Sequence, residues 1–339
     1  AKKINTNEGW INFSDFMQFI LYEPGLGYYS SGNRKLGTGG DFTTAPEISN
    51  FFGVCLADSM IKILHSCPEP MILEIGAGSG QLAFDILTRL DNQGFVPNQY
   101  YILELSADLK DRQQRLLAKL PNNLLEKVTW LDSLPENFIT GIILGNEVLD
   151  AMPCRRFRIQ DEEIYEIGIS CTNQRLIEQD KLADEIIKDS VHKIEKELNR
   201  KFANGFISEI RPDYKHWFTT LSSSLVYGAI MFIDYGCSRG EYYSADRSTG
   251  TLVCHYQNTA HYDPLFLPGV QDLSAWVDFS LVADVGLEHG FKVESYTSHR
   301  DFLLSAGILK LVDQISDQNK RFKINQAVKQ LLLPNQMGD

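Results

Sequence analysis

The residues with the most chemical content are Glu74-Ile75-Gly76-Ala77-Gly78-Ser79-Gly80, which follow a short apolar run at Met71-Ile72-Leu73. An acid-led GxGxG lets a ligand approach the main chain where a Cβ would collide. Two nucleotide folds place glycines between a first strand and a helix. The dinucleotide fingerprint needs GxGxxG with an acid about 20 residues on. Here Gln81 follows Gly80, so the third glycine is displaced. Glu104 ends a second apolar run, Tyr100-Tyr101-Ile102-Leu103, where a carboxylate can accept both hydroxyls of a ribose diol. Asp132-Ser133 follow a third run and stand where an adenine edge would lie. A tight turn with incidental acids is the bland alternative, and a nicotinamide dehydrogenase is the functional one.

A second set of polar residues follows the fourth apolar run: Gly145-Asn146-Glu147-Val148-Leu149-Asp150-Ala151-Met152-Pro153. Ligands of open α/β sheets bind outside the carboxyl ends of the strands. Carboxylates here, in place of the Asn-Pro-Pro-Tyr pattern of amide and base N-methyltransferases, suit a cationic acceptor. A turn rich in Asp and Asn that caps a helix would look the same. Taken together, Glu74, Gly76, Gly78, Gly80, Glu104, Asp132 and Ser133 match the S-adenosylmethionine site of class I methyltransferases. Glu147, Asn146 and Asp150 then become the candidate catalytic residues.

These positions need elements to hold them. Ser14–Tyr22 reads as a short helix, and a glycine-rich loop follows through Gly37-Thr38-Gly39-Gly40-Asp41-Phe42-Thr43. That loop is expected to fold over the cofactor as a lid, with Asp41 and Thr43 in contact with it. Thr44-Ala45-Pro46-Glu47 fits a capping box, and Ile48 to Leu64 repeats at helical spacing. From residue 71 strands and helices alternate: strands at 71–74, 100–104, 128–131, 142–144 and 229–234, and helices at 80–90 and 106–119. This alternation predicts a doubly wound, mostly parallel α/β sheet of Rossmann-like type. Residues 1–70 form an N-terminal helical cap and lid, 71–150 the cofactor core, 151–228 a large insertion, and 229–339 the rest of the sheet and C-terminal helices. Within the insertion, Arg155–Ile159 and Ile164–Ile169 read as a hairpin, and 178–201 as a solvated helix. Phe291–Tyr296 reads as a further strand.

The chain resembles the MidA-like family of class I methyltransferases. The likeness is carried by Leu21-Tyr22-Glu23-Pro24-Gly25-Leu26-Gly27-Tyr28-Tyr29, Gly40 to Glu47, Glu74 to Gly80 and Asn146-Glu147 to Pro153. It continues through Ile233-Asp234-Tyr235-Gly236, Gly250-Thr251-Leu252, Pro268-Gly269 and Val277-Asp278-Phe279. The resemblance implies S-adenosylmethionine as cofactor. For mitochondrial members it implies methylation of an arginine on a respiratory complex I subunit. The family pattern continues past Met337-Gly338 into an apolar strand, so the last antiparallel strand of the sheet is expected to be missing from this sequence.

Composition bounds the rest. The 339 residues are 43% hydrophobic and 22% charged, an ordinary globular balance. With 44 acids against 32 bases the net charge is −12, which argues against a nucleic-acid partner. No apolar run approaches the ~20 residues of a spanning helix. The six cysteines have no CxxC spacing and the histidines no HExxH, so no metal is expected. The lead reading is a protein-arginine methyltransferase, cytoplasmic in a bacterium or in the mitochondrial matrix after loss of a presequence. The rivals are a small-molecule N- or O-methyltransferase and a cofactor-binding assembly chaperone. The oligomeric state has no signature in the sequence.

Overall fold

The computed structural model describes residues 2–6, 9–30 and 43–333. They divide into two compact units. One comprises the described parts of Arg34–Val148, Thr220–Ile233 and Lys292–Asp339, and the other those of Ala1–Asn33, Leu149–Thr219 and Asp234–Phe291.

The first unit is built on a five-stranded sheet: β1 (Met71–Ile75), β2 (Gln99–Leu103), β3 (Val128–Leu131), β4 (Ile139–Asn146) and β5 (Leu225–Ile233). Every pairing is parallel, in the spatial order β5-β4-β1-β2-β3. The central strands are buried on both faces and so read as continuous apolar runs. Helix Gln81–Asn92 buries Leu82, Ala83, Ile86, Leu87 and Leu90, and helix Phe51–Ser66 buries Phe52, Leu56, Met60 and Leu64. Both join one core with Ile72, Tyr100, Ile102, Ile142 and Leu144. Helix Ala107–Leu117 starts at Ser106, whose hydroxyl accepts from the Leu109 amide. No helix among the described residues is long and apolar enough to cross a membrane.

The second unit carries an antiparallel sheet of Trp10–Asn12, Glu163–Thr172, Arg155–Gln160 and Ile207–Ile210, with Arg175–Leu182 also paired to Glu163–Thr172. Helix Glu185–Glu197 lays Ile187 and Val191 into a core with Phe157, Phe202 and Phe206.

Several expectations are corrected. The N-terminal segment contributes a strand, since Trp10–Asn12 pairs with Gly168–Ser170. The stretch read as helix from 178 opens as a strand through Leu182, and the helix begins only at Glu185. Polar side chains on an edge strand erase the alternation that reveals strands. The helix expected from the Thr44 box is split into Ala45–Ile48 and Phe51–Ser66, and the Thr44 side chain makes no capping bond. The strand expected at Phe291–Tyr296 does not form: among the described residues nothing pairs with 291–298 in a ladder. The lid expected at Gly37–Thr43 lies, apart from Thr43, outside the described residues.

Candidate active site

The strand order reverses between β1 and β4, which are neighbours although two strands separate them in sequence. At such a switch point the loops leaving adjacent strands diverge and open a crevice. The loop leaving β1 is the glycine-rich turn. Gly76, Gly78 and Gly80 have φ of 66°, 53° and 84°, a left-handed region closed to most side chains. A Cβ on Gly80 would also stand 3.2 Å from Gln113 Cα. From this turn the Ser79 hydroxyl donates to a Glu47 carboxylate oxygen. The loop leaving β4 lies close by, with Val148 Cγ2 3.4 Å from where a Cβ on Gly76 would be.

Glu104 follows β2 and is half-buried. One of its oxygens accepts from the Ser106 amide at 2.8 Å, the other from Gln113 Nε2 at 2.9 Å. A carboxylate offers about four lone-pair directions, the acceptor chemistry a ribose diol calls for. Gln113 is fully buried and ties three parts of the site together. Its amide nitrogen also donates to Gly78 O at 3.0 Å, and its oxygen accepts from Trp130 Nε1 on β3 at 2.9 Å. Sequence reasoning missed it. The available signal was a polar residue on the apolar stripe that also carries Leu109 and Leu117.

The other expected cofactor residues are placed differently from one another. Glu74 is buried inside β1 and accepts from the Tyr100 hydroxyl at 2.7 Å. Burial pushes its carboxyl up to about 7, against the lowering effect of the Tyr100 bond. Asp132 and Ser133 follow β3 and are exposed, with Asp132 3.7 Å from Lys110 Nζ. Thr43 is half-buried, and Asp41 lies outside the described residues.

On the acceptor side, Asn146 ends β4 and Glu147 follows it. Glu147 has φ of 52°, a left-handed conformation that costs a non-glycine residue on the order of 1–3 kcal/mol. Its amide donates to Ile233 O at 2.8 Å, and its Oε1 accepts from Asn146 Nδ2 at 3.3 Å. The Asn146 Oδ1 atom is buried, with no hydrogen-bond partner among the described residues. Asp150 falls in the second unit. Burial pushes its carboxyl up to about 6, and the Arg211 guanidinium opposes that rise.

A parallel sheet in this order, with glycines turning out of β1 and a carboxylate after β2, has the architecture of a Rossmann-like class I methyltransferase. The family model described as "Putative S-adenosyl-L-methionine-dependent methyltransferase" matches residues 55–297, and the chain belongs to this family of S-adenosylmethionine-dependent methyltransferases. The crystal structure of a superfamily member from Burkholderia thailandensis bound to S-adenosyl-homocysteine is 37% identical. It superposes with a TM-score of 0.93 over 100% of this chain and 88% of that one. A native crystal structure from the same organism gives 0.90 at 36% identity, covering 100% of this chain and 87% of that one. Among curated relatives, the mouse mitochondrial protein arginine methyltransferase NDUFAF7 is 27% identical, covering 98% of this chain and 79% of its own. The human protein of the same name is 25% identical, covering 98% and 78%.

Proposed function

We propose that this methyltransferase acts on the guanidinium group of an arginine in a partner protein. The observation that carries the reading is Glu147. It is a carboxylate at the carboxyl end of β4, held at a backbone angle that costs energy and persists only where surrounding structure enforces it. The curated relatives named as arginine methyltransferases support the same acceptor class.

Bound S-adenosylmethionine supplies a methyl group already activated by a sulfonium. The chain must then hold two partners in line, and orientation of that kind contributes on the order of 7–11 kcal/mol. The glycine turn 76–80 would let main chain come close to the cofactor, and Glu104 would accept from its ribose hydroxyls. Glu147 pairs with the arriving guanidinium, which is charged at any physiological pH, and fixes its plane. As one nitrogen takes the methyl group, the carboxylate favours the redistribution of charge over the remaining nitrogens. Asp150, with its carboxyl raised to about 6, is the second candidate and could take up the proton that leaves.

The test is incubation of the protein with methyl-tritiated S-adenosylmethionine and a cell lysate, followed by acid hydrolysis of the protein fraction. Label that elutes as methylarginine is the expected result. Label confined to small molecules would overturn the arginine reading, and so would label in another amino acid.

A further inference from the structure

The turn 149–152 follows the proposed acceptor residues in sequence and belongs to neither a helix nor a strand. Irregular buried backbone still has to satisfy its polar groups. Here four side chains from three separate segments do so. Asp234 Oδ2 accepts from the Leu149 amide at 2.7 Å and the Asp150 amide at 3.3 Å. The Tyr214 hydroxyl donates to Leu149 O at 2.9 Å. Arg211 Nη2 donates to Asp150 O at 3.2 Å and its Nε to Met152 O at 3.4 Å. The Tyr22 hydroxyl donates to Ala151 O at 2.9 Å.

Two features separate this frame from ordinary loop packing. Arg211 is 4% exposed, yet the hydrogen bonds its guanidinium makes all go to main-chain carbonyls, those of Ala275 and Trp276 among them. Burying a cation is costly even with the Asp150 carboxylate near enough to act on it, and committing its hydrogen bonds to this main chain fixes the loop's conformation. Asp234 is also the residue after Ile233, whose carbonyl takes the Glu147 amide. The last residue of β5 and the one after it therefore take three amides between 147 and 150.

We propose that Asp234 is a positioning residue for methyl transfer, acting with Tyr214 and Arg211 to hold the 149–152 main chain in one conformation so that the acceptor-side carboxylates are preset before substrate arrives. This rests on the acceptor assignment made under the proposed function. In this role Asp234 acts through the main chain and not on the substrate: its Oδ2 takes the two loop amides, and its Oδ1 accepts from Tyr235 N at 2.9 Å.

The experiment compares Asp234→Ala, Asp234→Asn and Tyr214→Phe with the parent chain. Methyl transfer from tritiated S-adenosylmethionine into lysate protein is measured per cofactor-binding site, the sites being counted by titration with S-adenosyl-homocysteine. Counting sites removes any loss that comes only from unfolded protein. The expected result is a kcat lowered about 100-fold in Asp234→Ala and about 10-fold in the two milder variants. The KM for S-adenosylmethionine and the Kd for S-adenosyl-homocysteine should stay within about twofold, because loose positioning of one reactant costs rate rather than cofactor affinity. Amide exchange at Leu149 and Asp150 should speed up in both Asp234 variants. Unchanged kcat per site in the folded variants overturns the proposal, as does a kcat loss matched by an equal loss of cofactor affinity. If the parent chain labels an amino acid other than arginine, the acceptor assignment falls while the Asp234 comparison still decides its role. A parent chain that transfers no methyl group overturns both.

Discussion

Replacing Glu104 by alanine should weaken cofactor binding by about a hundredfold or more. Two charge-assisted hydrogen bonds to a ribose diol are worth roughly 1.5–3 kcal/mol each. Their sum, about 3–6 kcal/mol, corresponds to two to four decades in Kd at ~1.4 kcal/mol per decade. The lower end is expected here, because the carboxylate is already shared with the Ser106 amide and Gln113 Nε2 and sits half in water. The fold should tolerate the change. Gln113 keeps its bonds to Gly78 O and Trp130 Nε1, and the freed Ser106 amide costs about 1 kcal/mol. Glu104→Gln keeps one acceptor oxygen without the charge and should fall between the parent and the alanine variant. The assay is calorimetric titration with S-adenosyl-homocysteine, with thermal unfolding recorded to confirm a folded variant. An unchanged Kd in folded Glu104→Ala would remove Glu104 from the cofactor site and with it the argument from the end of β2.

Three further outcomes are expected. Glu147→Gln keeps the shape and removes the charge, so methyl transfer should fall by orders of magnitude while S-adenosyl-homocysteine titrates as in the parent; near-normal turnover would reduce Glu147 to a turn residue. Glu74 holds its proton in the folded chain up to about 7, whereas the unfolded chain releases it near the ordinary 4.5. Its contribution to stability therefore declines as pH rises from about 4.5 to about 7 and is level above that. Glu74→Gln should gain on the parent over that window by about 3 kcal/mol, at 1.36 kcal/mol per unit, and parallel urea-unfolding profiles at pH 5 and pH 8 would refute this. Gly53→Ala should destabilise by about 1–3 kcal/mol despite alanine's better helix propensity, because the added Cβ would stand 2.6 Å from Asp85 Cβ on the facing helix; a variant as stable as the parent in chemical denaturation would contradict that packing.

What the sequence determined by itself was local. Three left-handed positions in five residues demand glycine, so Gly76, Gly78 and Gly80 announce the turn out of β1 wherever the rest of the chain goes. Apolar runs of strand length alternating with amphipathic helices fix the parallel sheet, because strands covered on both faces have no polar side to show. The places of Glu104 and Glu147 just past strand ends were readable from the sequence alone. Tertiary structure decided whatever depends on residues far apart in the chain. Asp234 reaches the Leu149 amide across 85 residues, and Tyr214 reaches the Leu149 carbonyl across 65. Gln113 gathers Gly78, Glu104 and Trp130 only once three strand ends stand side by side. Arg175–Leu182 is a strand because Glu163–Thr172 offers it an edge, and Phe291–Tyr296 is not one because no neighbour among the described residues does. A strand's hydrogen bonds are made entirely with another segment. A helix closes its own within four residues, which is why helices could be read from the sequence more surely than the edges of the sheets.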